Sequence, residues 1–243
     1  MAKLVSTGQT DVGLRRSHNE DAYLENPEVG LLVVADGMGG AAAGEIASGI
    51  FVDTVLEVFN KKNNNTYKET LTFVKKAFDT ANKRILEHVK FHPAHKGMGC
   101  TAELMAFFNE GYVLGHVGDS RTYLFRDGKL VQITKDHSLV QVQIEMGLIS
   151  EMEARNQSHR NIILRAVGIN EGLEIDIRGV KFHVGDIFLL CSDGLTDMLE
   201  DDVIMEVLSI PTCLEKKVEG LIELAKVVGG EDNITVVLGQ IVE

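Results

Sequence analysis

Between positions 71 and 89 apolar residues return every three or four places, at Leu71, Val74, Phe78, Ala81, Ile85 and Val89. That spacing predicts a helix with one buried face. Its start is marked by Thr66-Tyr67-Lys68-Glu69, a capping box in which the threonine and glutamate side chains each satisfy an orphan amide of the first turn. A helix is also predicted over residues 44–59, with Ile46, Ile50, Val55 and Val58 near one face. A third opens at Thr212-Cys213-Leu214-Glu215 and turns Val218, Leu221, Leu224, Ala225 and Val228 inward. The polar run Lys61-Lys62-Asn63-Asn64-Asn65 reads as a loop joining the first two helices.

Short β-like runs occupy residues 4–9, 30–35, 100–108, 112–117, 122–126, 129–133, 175–180, 187–191 and 233–241. Asn109-Glu110-Gly111 and Arg126-Asp127-Gly128 read as hairpin turns, so neighbouring strands pair antiparallel. Blocks of strands with helices between them give an α+β class, and nine strands fit two stacked sheets with helices on the outer faces. Residues 136–166 break this pattern. They are polar, with helix starts at Ser138-x-x-Gln141 and Ser150-x-x-Glu153, and a long excursion of this kind is a lid or binding loop.

The 243 residues carry a net charge of −12 and no basic block, which disfavours nucleic acid as a partner. Cys100, Cys191 and Cys213 are an odd, irregular set, so a disulfide framework is not expected and a reducing cytoplasm fits. No apolar stretch approaches the roughly 20 residues that span a bilayer. The chain reads as one soluble intracellular domain, 1–243, without a membrane partner.

Four acidic sites sit beside glycine or asparagine at strand ends: Glu20-Asp21, Asp36-Gly37, Asp193-Gly194 and Asp232-Asn233. Carboxylates that converge are ligands for hard divalent cations. Each has a plainer reading. Asp36-Gly37-Met38-Gly39-Gly40 can be a glycine-rich turn after a buried strand, or a place where the Asp36 carboxylate and the Gly37 carbonyl bind metal. Asp193 can cap the helix that follows. Arg15 and Arg16, beside Glu20 and Asp21, can form local ion pairs or fork onto a phosphoryl group. Asp119 and Arg121 in Gly118-Asp119-Ser120-Arg121 can hold a tight turn. His88 and His92 are spaced like a zinc pair, but Pro93 ends the helix and no third ligand is suggested, so a surface role is expected. His137 and His159 lie in the excursion and are candidates for substrate contact. No cysteine is followed by arginine six positions on, and no G-x-S-x-G elbow occurs, which disfavours nucleophilic cysteine or serine chemistry.

Taken in order, R-x-x-N-E-D, V-A-D-G-M-G-G, G-D-S-R-x-Y, D-H-S, L-R-A-V-G, L-C-S-D-G-L and D-N-I-T cover the chain from about Thr7 to Val237. This set resembles the metal-dependent serine/threonine protein phosphatases of the PPM family, type 2C, and compact bacterial members above all. The resemblance implies a four-layer α-β-β-α sandwich: two antiparallel sheets flanked by helix pairs, with residues 136–166 as a flap beside the active site. It implies a binuclear Mn2+ or Mg2+ centre, with a third ion in bacterial relatives. Asp36 matches the bridging carboxylate, Asp193 and Asp232 match ligands of one ion, and the Gly37 carbonyl matches a ligand of the other. Glu20 matches a position that meets metal through water, and Asp21 one that stands behind the ligands. Asp119, with Asp193, matches the third-ion site. Arg16 matches the phosphate-binding arginine, with Arg15 as the alternative.

The implied activity is hydrolysis of phosphoserine and phosphothreonine in proteins by a metal-activated water, reversing a bacterial serine/threonine kinase; a monomer is taken only as the default state. The sequence departs from the pattern in three places. Met38 stands where animal relatives have a histidine, Ala41-Ala42-Ala43 is plain, and Cys100 replaces a more usual threonine. A silent phosphoprotein-binding module and a two-metal phosphodiesterase are the competing readings.

Overall fold

The computed structural model describes residues 2–39, 43–60, 66–155 and 157–243. The loop expected at Lys61-Lys62-Asn63-Asn64-Asn65, and Gly40, Ala41 and Ala42 of the glycine-rich turn, lie outside the described residues.

The first strands are β1 (Lys3–Asp11), β2 (Asp21–Asn26) and β3 (Leu31–Met38), and the helices α1 (Gly44–Phe59) and α2 (Tyr67–Phe91) follow. After a 3-10 turn at Pro93–His95 come β4 (Gly99–Cys100), β5 (Ala102–Phe108), β6 (Gly111–Val117), β7 (Arg121–Arg126) and β8 (Lys129–Gln132). The excursion carries α3 (Leu139–Glu145) and α4 (Glu151–Arg155). The chain closes with β9 (Asp176–Lys181), β10 (Ile187–Cys191), α5 (Asp193–Thr196), α6 (Asp201–Ser209), α7 (Leu214–Val228) and β11 (Ile234–Val242).

Two antiparallel sheets form. One has the order β1-β11-β10-β7-β8 and the other β2-β3-β5-β6-β9, with β4 added to β3. Alternation along each strand divides the apolar residues among three cores. Leu31, Val33 and Ala35 of β3 face Phe51, Val55, Phe78 and Ile85 of α1 and α2. Leu32 and Val34 point the other way and meet Phe188, Leu190 and Val237 between the sheets. Leu189 and Val236 pack under Ile204, Val218 and Leu221 of α6 and α7. Burial on both faces explains why β3 and β10 read as unbroken apolar runs. The result is the α-β-β-α sandwich.

The capping box at Thr66 forms: its side chain accepts from the Glu69 amide, and the Glu69 carboxylate accepts from the Thr66 amide. In α1 the apolar residues Ala47, Phe51, Val55 and Phe59 are fully buried, with Ser48 and Thr54 beside them, while Ile46, Ile50 and Val58 are only partly buried. On α7 the expected face is rotated. Leu224 and Val228 are exposed and Ile222 is buried. Cys213 is the N-cap without a side-chain hydrogen bond, so the predicted cap is absent. Lys217 is buried instead, and its ammonium donates to the carbonyls of Leu208 (2.5 Å) and Ile210, which lie at the end of α6. The strand predicted over 100–108 breaks at Thr101, and β2 was not predicted. Both differences lie at the site described next.

Candidate metal centre

The acidic residues meet because antiparallel pairing brings the right strand ends to one rim. In the first sheet Cys191, the last residue of β10, pairs with Arg121 at the start of β7 and with Val236 near the start of β11. Asp193, Asp119 and Asp232 each lie within a few residues of those positions. In the second sheet Asp21 is the direct cross-strand partner of Asp36. Asp119, Asp21, Asp36, Asp193 and Asp232 therefore crowd one end of the sandwich.

Small side chains fix the backbone around them. The Thr101 amide donates to the Asp36 carbonyl (2.9 Å), and the Asp36 amide donates to Thr101 Oγ1 (3.0 Å). This reciprocal pair is why the strand is interrupted at Thr101, and Thr101 Oγ1 also bonds Ser120 Oγ, in the connection between β6 and β7, at 2.7 Å. Gly37 is wedged tightly: a Cβ there would sit 2.2 Å from the Gly44 carbonyl oxygen and 2.5 Å from that of Glu20. Only glycine lets the chain pass that closely. Asn233 ties three segments together. Its Nδ2 donates to the carbonyls of Val12 (3.0 Å) and His18 (2.9 Å), and its Oδ1 accepts from the Glu20 amide (2.8 Å).

Asp21 is half-buried, and its Oδ2 accepts from Ser192 Oγ (2.7 Å) and Thr235 Oγ1 (2.6 Å). Ser192, Thr235, Thr101 and Asn233 are the residues that sequence reasoning missed. A polar residue inside an apolar strand, as Thr235 is, was the available signal.

Burial and mutual repulsion dominate the electrostatics. Burial first, then the charges of Asp21, Asp193, Asp119 and Asp232, hold the Asp36 carboxyl well above the usual range. Asp193 is raised likewise by burial and then by Asp119 and Asp197. Burial pushes Asp119 up to about 7, with Asp136 adding to the effect. Asp21 is pushed up by burial to about 6, although its two hydroxyl partners oppose the shift. Burial also raises Glu20, against a hydrogen bond from the Gly44 amide at the start of α1.

Asp21 Oδ1, Asp119 Oδ1 and Asp193 Oδ1 are buried without a hydrogen-bond partner. Unsatisfied, mutually repelling carboxylate oxygens are the donor set of a hard divalent cation, so the residues fit such an ion. Among the described residues no three such side chains stand in coordinating geometry as placed. Asp232 Oδ2 is engaged by Arg16 Nη2 at 2.7 Å.

Asp119 and Asp193 open into a cleft of about 740 Å3 between residues 136–166 and α5–α6. Arg160 is paired with Asp197 and Arg155 with Glu200, both at 3.1 Å, so two arginines of the excursion hold it across the cleft. His137 and His159 do not line this cleft. The His137 side chain is 9% exposed, and its Nδ1 accepts from the Gly118 amide at 3.1 Å. His159 Nε2 meets Gln143 Oε1 at 3.2 Å inside the excursion. Met38 ends β3 opposite Gly99.

The sandwich thus carries a rim of crowded carboxylates with an arginine beside them and a tethered excursion over the cleft, a donor set suited to hard divalent cations. A family profile for protein phosphatase 2C matches residues 14–216, and the chain belongs to that family. It is 38% identical to a serine/threonine phosphatase, stp, of Listeria monocytogenes over 234 residues, or 95% of this chain and 93% of the relative. It is 39% identical to the serine/threonine protein phosphatase PstP of Mycobacterium tuberculosis over 235 residues, 97% of this chain but 44% of that protein. The chain thus spans less than half the length of that relative. A crystal structure of the PstP catalytic domain in complex with two manganese ions superposes with a TM-score of 0.92 at 37% identity, covering all of both chains. No helix among the described residues is long and apolar enough to cross a membrane.

Proposed function

We propose that this chain is a catalytic domain, residues 1–243, that hydrolyses phosphoserine and phosphothreonine monoesters of proteins. The observation that carries the reading is the set of three buried, unpartnered carboxylate oxygens on Asp21, Asp119 and Asp193, beside Arg16, in a member of this family. Asp36, Asp193, Asp232 and the Gly37 carbonyl would hold two Mn2+ or Mg2+ ions. Asp119 with Asp193 would hold a third, Glu20 would act through water, and Asp21 would stand behind. Bound ions of this kind supply Lewis acidity, lowering the pKa of water and neutralising phosphoryl charge.

The protein's own groups do the rest. Arg16 is half exposed and held by one nitrogen on Asp232, so its other donors are free to fork onto phosphoryl oxygens. Burial of Asp21 under Ser192 and Thr235 fixes the backbone of β2 against Asp36. The flap forms one wall of the cleft through which a phosphorylated segment reaches the rim. Met38 carries no proton to give, so protonation of the departing serine or threonine oxygen falls to solvent. Unpaired cysteines support a reducing cytoplasm, where a monomer would reverse a serine/threonine kinase.

The test is phosphate release from a phosphothreonine peptide with Mn2+, with Mg2+ and after chelation. Undiminished release after chelation, or in both Asp36→Asn and Asp193→Asn, would refute the reading. A cyclic nucleotide assayed in parallel separates monoesterase from diesterase action.

A further inference from the structure

Three of the eight histidines gather at the C-terminal end of α2. His88 and His92 are one helical turn apart, so they share a face. The sequence offered no third partner, because Pro93 stops the helix. The structure shows what Pro93 does instead: it starts the 3-10 turn that swings His95 back over the helix end. The ring centroids lie 4.2 Å (His88 and His92), 5.2 Å (His88 and His95) and 5.7 Å (His92 and His95) apart. His88 Nε2 and His95 Nδ1 face each other at 3.0 Å, sharing one proton. His92 Nδ1 donates to the His88 carbonyl at 3.1 Å, which leaves Nε2 as the unprotonated nitrogen with a free lone pair.

We propose that His88, His92 and His95 form a second cation site that takes a borderline transition-metal ion such as Zn2+ on three imidazole nitrogens. Imidazole suits such ions as carboxylate suits Mn2+ and Mg2+. Zinc–nitrogen bonds of about 2.0–2.1 Å put two ligating nitrogens roughly 3.4 Å apart in a tetrahedron. The His88–His95 separation of 3.0 Å is within a few tenths of that value. A histidine that ligates metal usually donates its other nitrogen to a carbonyl, as His92 does here. The last carbonyls of a 25-residue helix present the negative end of its dipole to the cluster. Burial, and then the neighbouring His92 and His95, keep His88 below its usual range and so neutral near pH 7. The rings as placed stack and do not yet converge. His92 is exposed and at the helix end, so turning its ring onto the His88–His95 pair displaces no core residue.

The occupied site would pin the end of α2 to the segment entering β4, which pairs with Gly37 and Met38. The test is calorimetric titration of Zn2+ into the full chain saturated with Mn2+, repeated on the Asp36→Asn/Asp193→Asn double variant so that exchange at the carboxylates is removed. One further Zn2+ is expected in both, and His92→Ala and His95→Gln should each weaken it more than about tenfold. Melting temperature without Zn2+, and phosphopeptide turnover, should stay as in the native chain. Equal Zn2+ uptake in the native chain and the two histidine variants, or no further Zn2+ at all, overturns the proposal. Visible Co2+ absorption is the second measurement: loss of the nitrogen-ligand bands in His92→Ala supports the site, and their persistence overturns it.

Discussion

Glu103, buried, and Asp36, half-buried, are acids of the same sheet, and Glu103 pairs across the strand with Val34, two residues before Asp36. Their surroundings differ completely. Glu103 Oε1 meets His116 Nδ1, its Oε2 accepts from Thr122 Oγ1 of the opposite sheet, and His116 Nε2 donates to the Lys135 carbonyl at 2.8 Å. Burial lowers His116, but the Glu103 charge and hydrogen bond outweigh it and hold the imidazole at about 9, so it is cationic at neutral pH. Asp36 has no hydrogen-bonded cationic partner of this kind: burial and four more carboxylates dominate its shift, and the charge of Arg16, which is paired with Asp232, is felt only at a distance. The paired acid is a fastener between the sheets. The unpaired acids, with orphaned oxygens on three of them, make a place for something positive. Whether a buried carboxylate is structural or functional is thus decided by whether the chain itself brings the counter-charge.

That contrast can be broken most sharply at Asp36. Asp36→Asn and Asp193→Asn should each lower Mn2+-dependent turnover roughly a thousandfold, about 4 kcal/mol of transition-state stabilisation. The metal-free protein should melt no lower than the native chain, because a repulsive charge has gone. A clear fall in melting temperature would mean that the rim carboxylates hold the fold together.

The opposite signature is expected at the fastener. His116→Ala leaves Glu103 buried and unpaired and should destabilise by about 3–5 kcal/mol, read by urea denaturation. A native-like midpoint would show that the pair fastens nothing.

Arg16→Ala tests the boundary between the two regimes. Its ion pair with Asp232 is half exposed, so stability should hold. The specificity constant for a phosphopeptide should drop about 10- to 100-fold. A loss confined to melting temperature would reassign Arg16 to a structural role.

The smallest effect is the pH dependence. Asp21 is raised to about 6 and Asp119 to about 7 in the folded state. The folded chain therefore binds more protons than the unfolded one between roughly pH 4 and 7, and its stability falls as pH rises through that window. The metal-free melting temperature should decline by a few degrees between about pH 5 and 7.5, and Mn2+ should restore more at the higher pH. A metal-free melting temperature that rises over the same interval would contradict the crowded, raised carboxylates.

Much of this was legible before the fold. Buried strands such as β3 and β10 announce themselves by continuous apolar runs, and α2 by its period and its capping box. β2 was not legible, because Asp21-Ala22-Tyr23-Leu24-Glu25-Asn26 mixes acids with apolar residues, as an edge strand half open to solvent does. α6, opening on Asp201-Asp202 and only nine residues long, offers too little period to read. The face of α7 was misjudged because Lys217 reads as a surface residue, yet the carbonyls ending α6 draw it inward. At the site, the acids were visible one by one, but their meeting depends on register. Nothing local to Asp21 says that it pairs with Asp36, and nothing near Asp232 says that β11 lies beside β10.

The pairing of β1 with β11 has a mechanical consequence. Lys3 stands opposite Val242 and Asp11 opposite Ile234, nine partners in unbroken antiparallel register. The rungs between such strands run across them, so opposed tension on the two chain ends would load the Lys3–Val242 rung alone, then the next, like teeth of a zip. A pulling experiment through these ends should find a molecule that peels open at low force, one rung after another, however firmly its interior resists heat or urea.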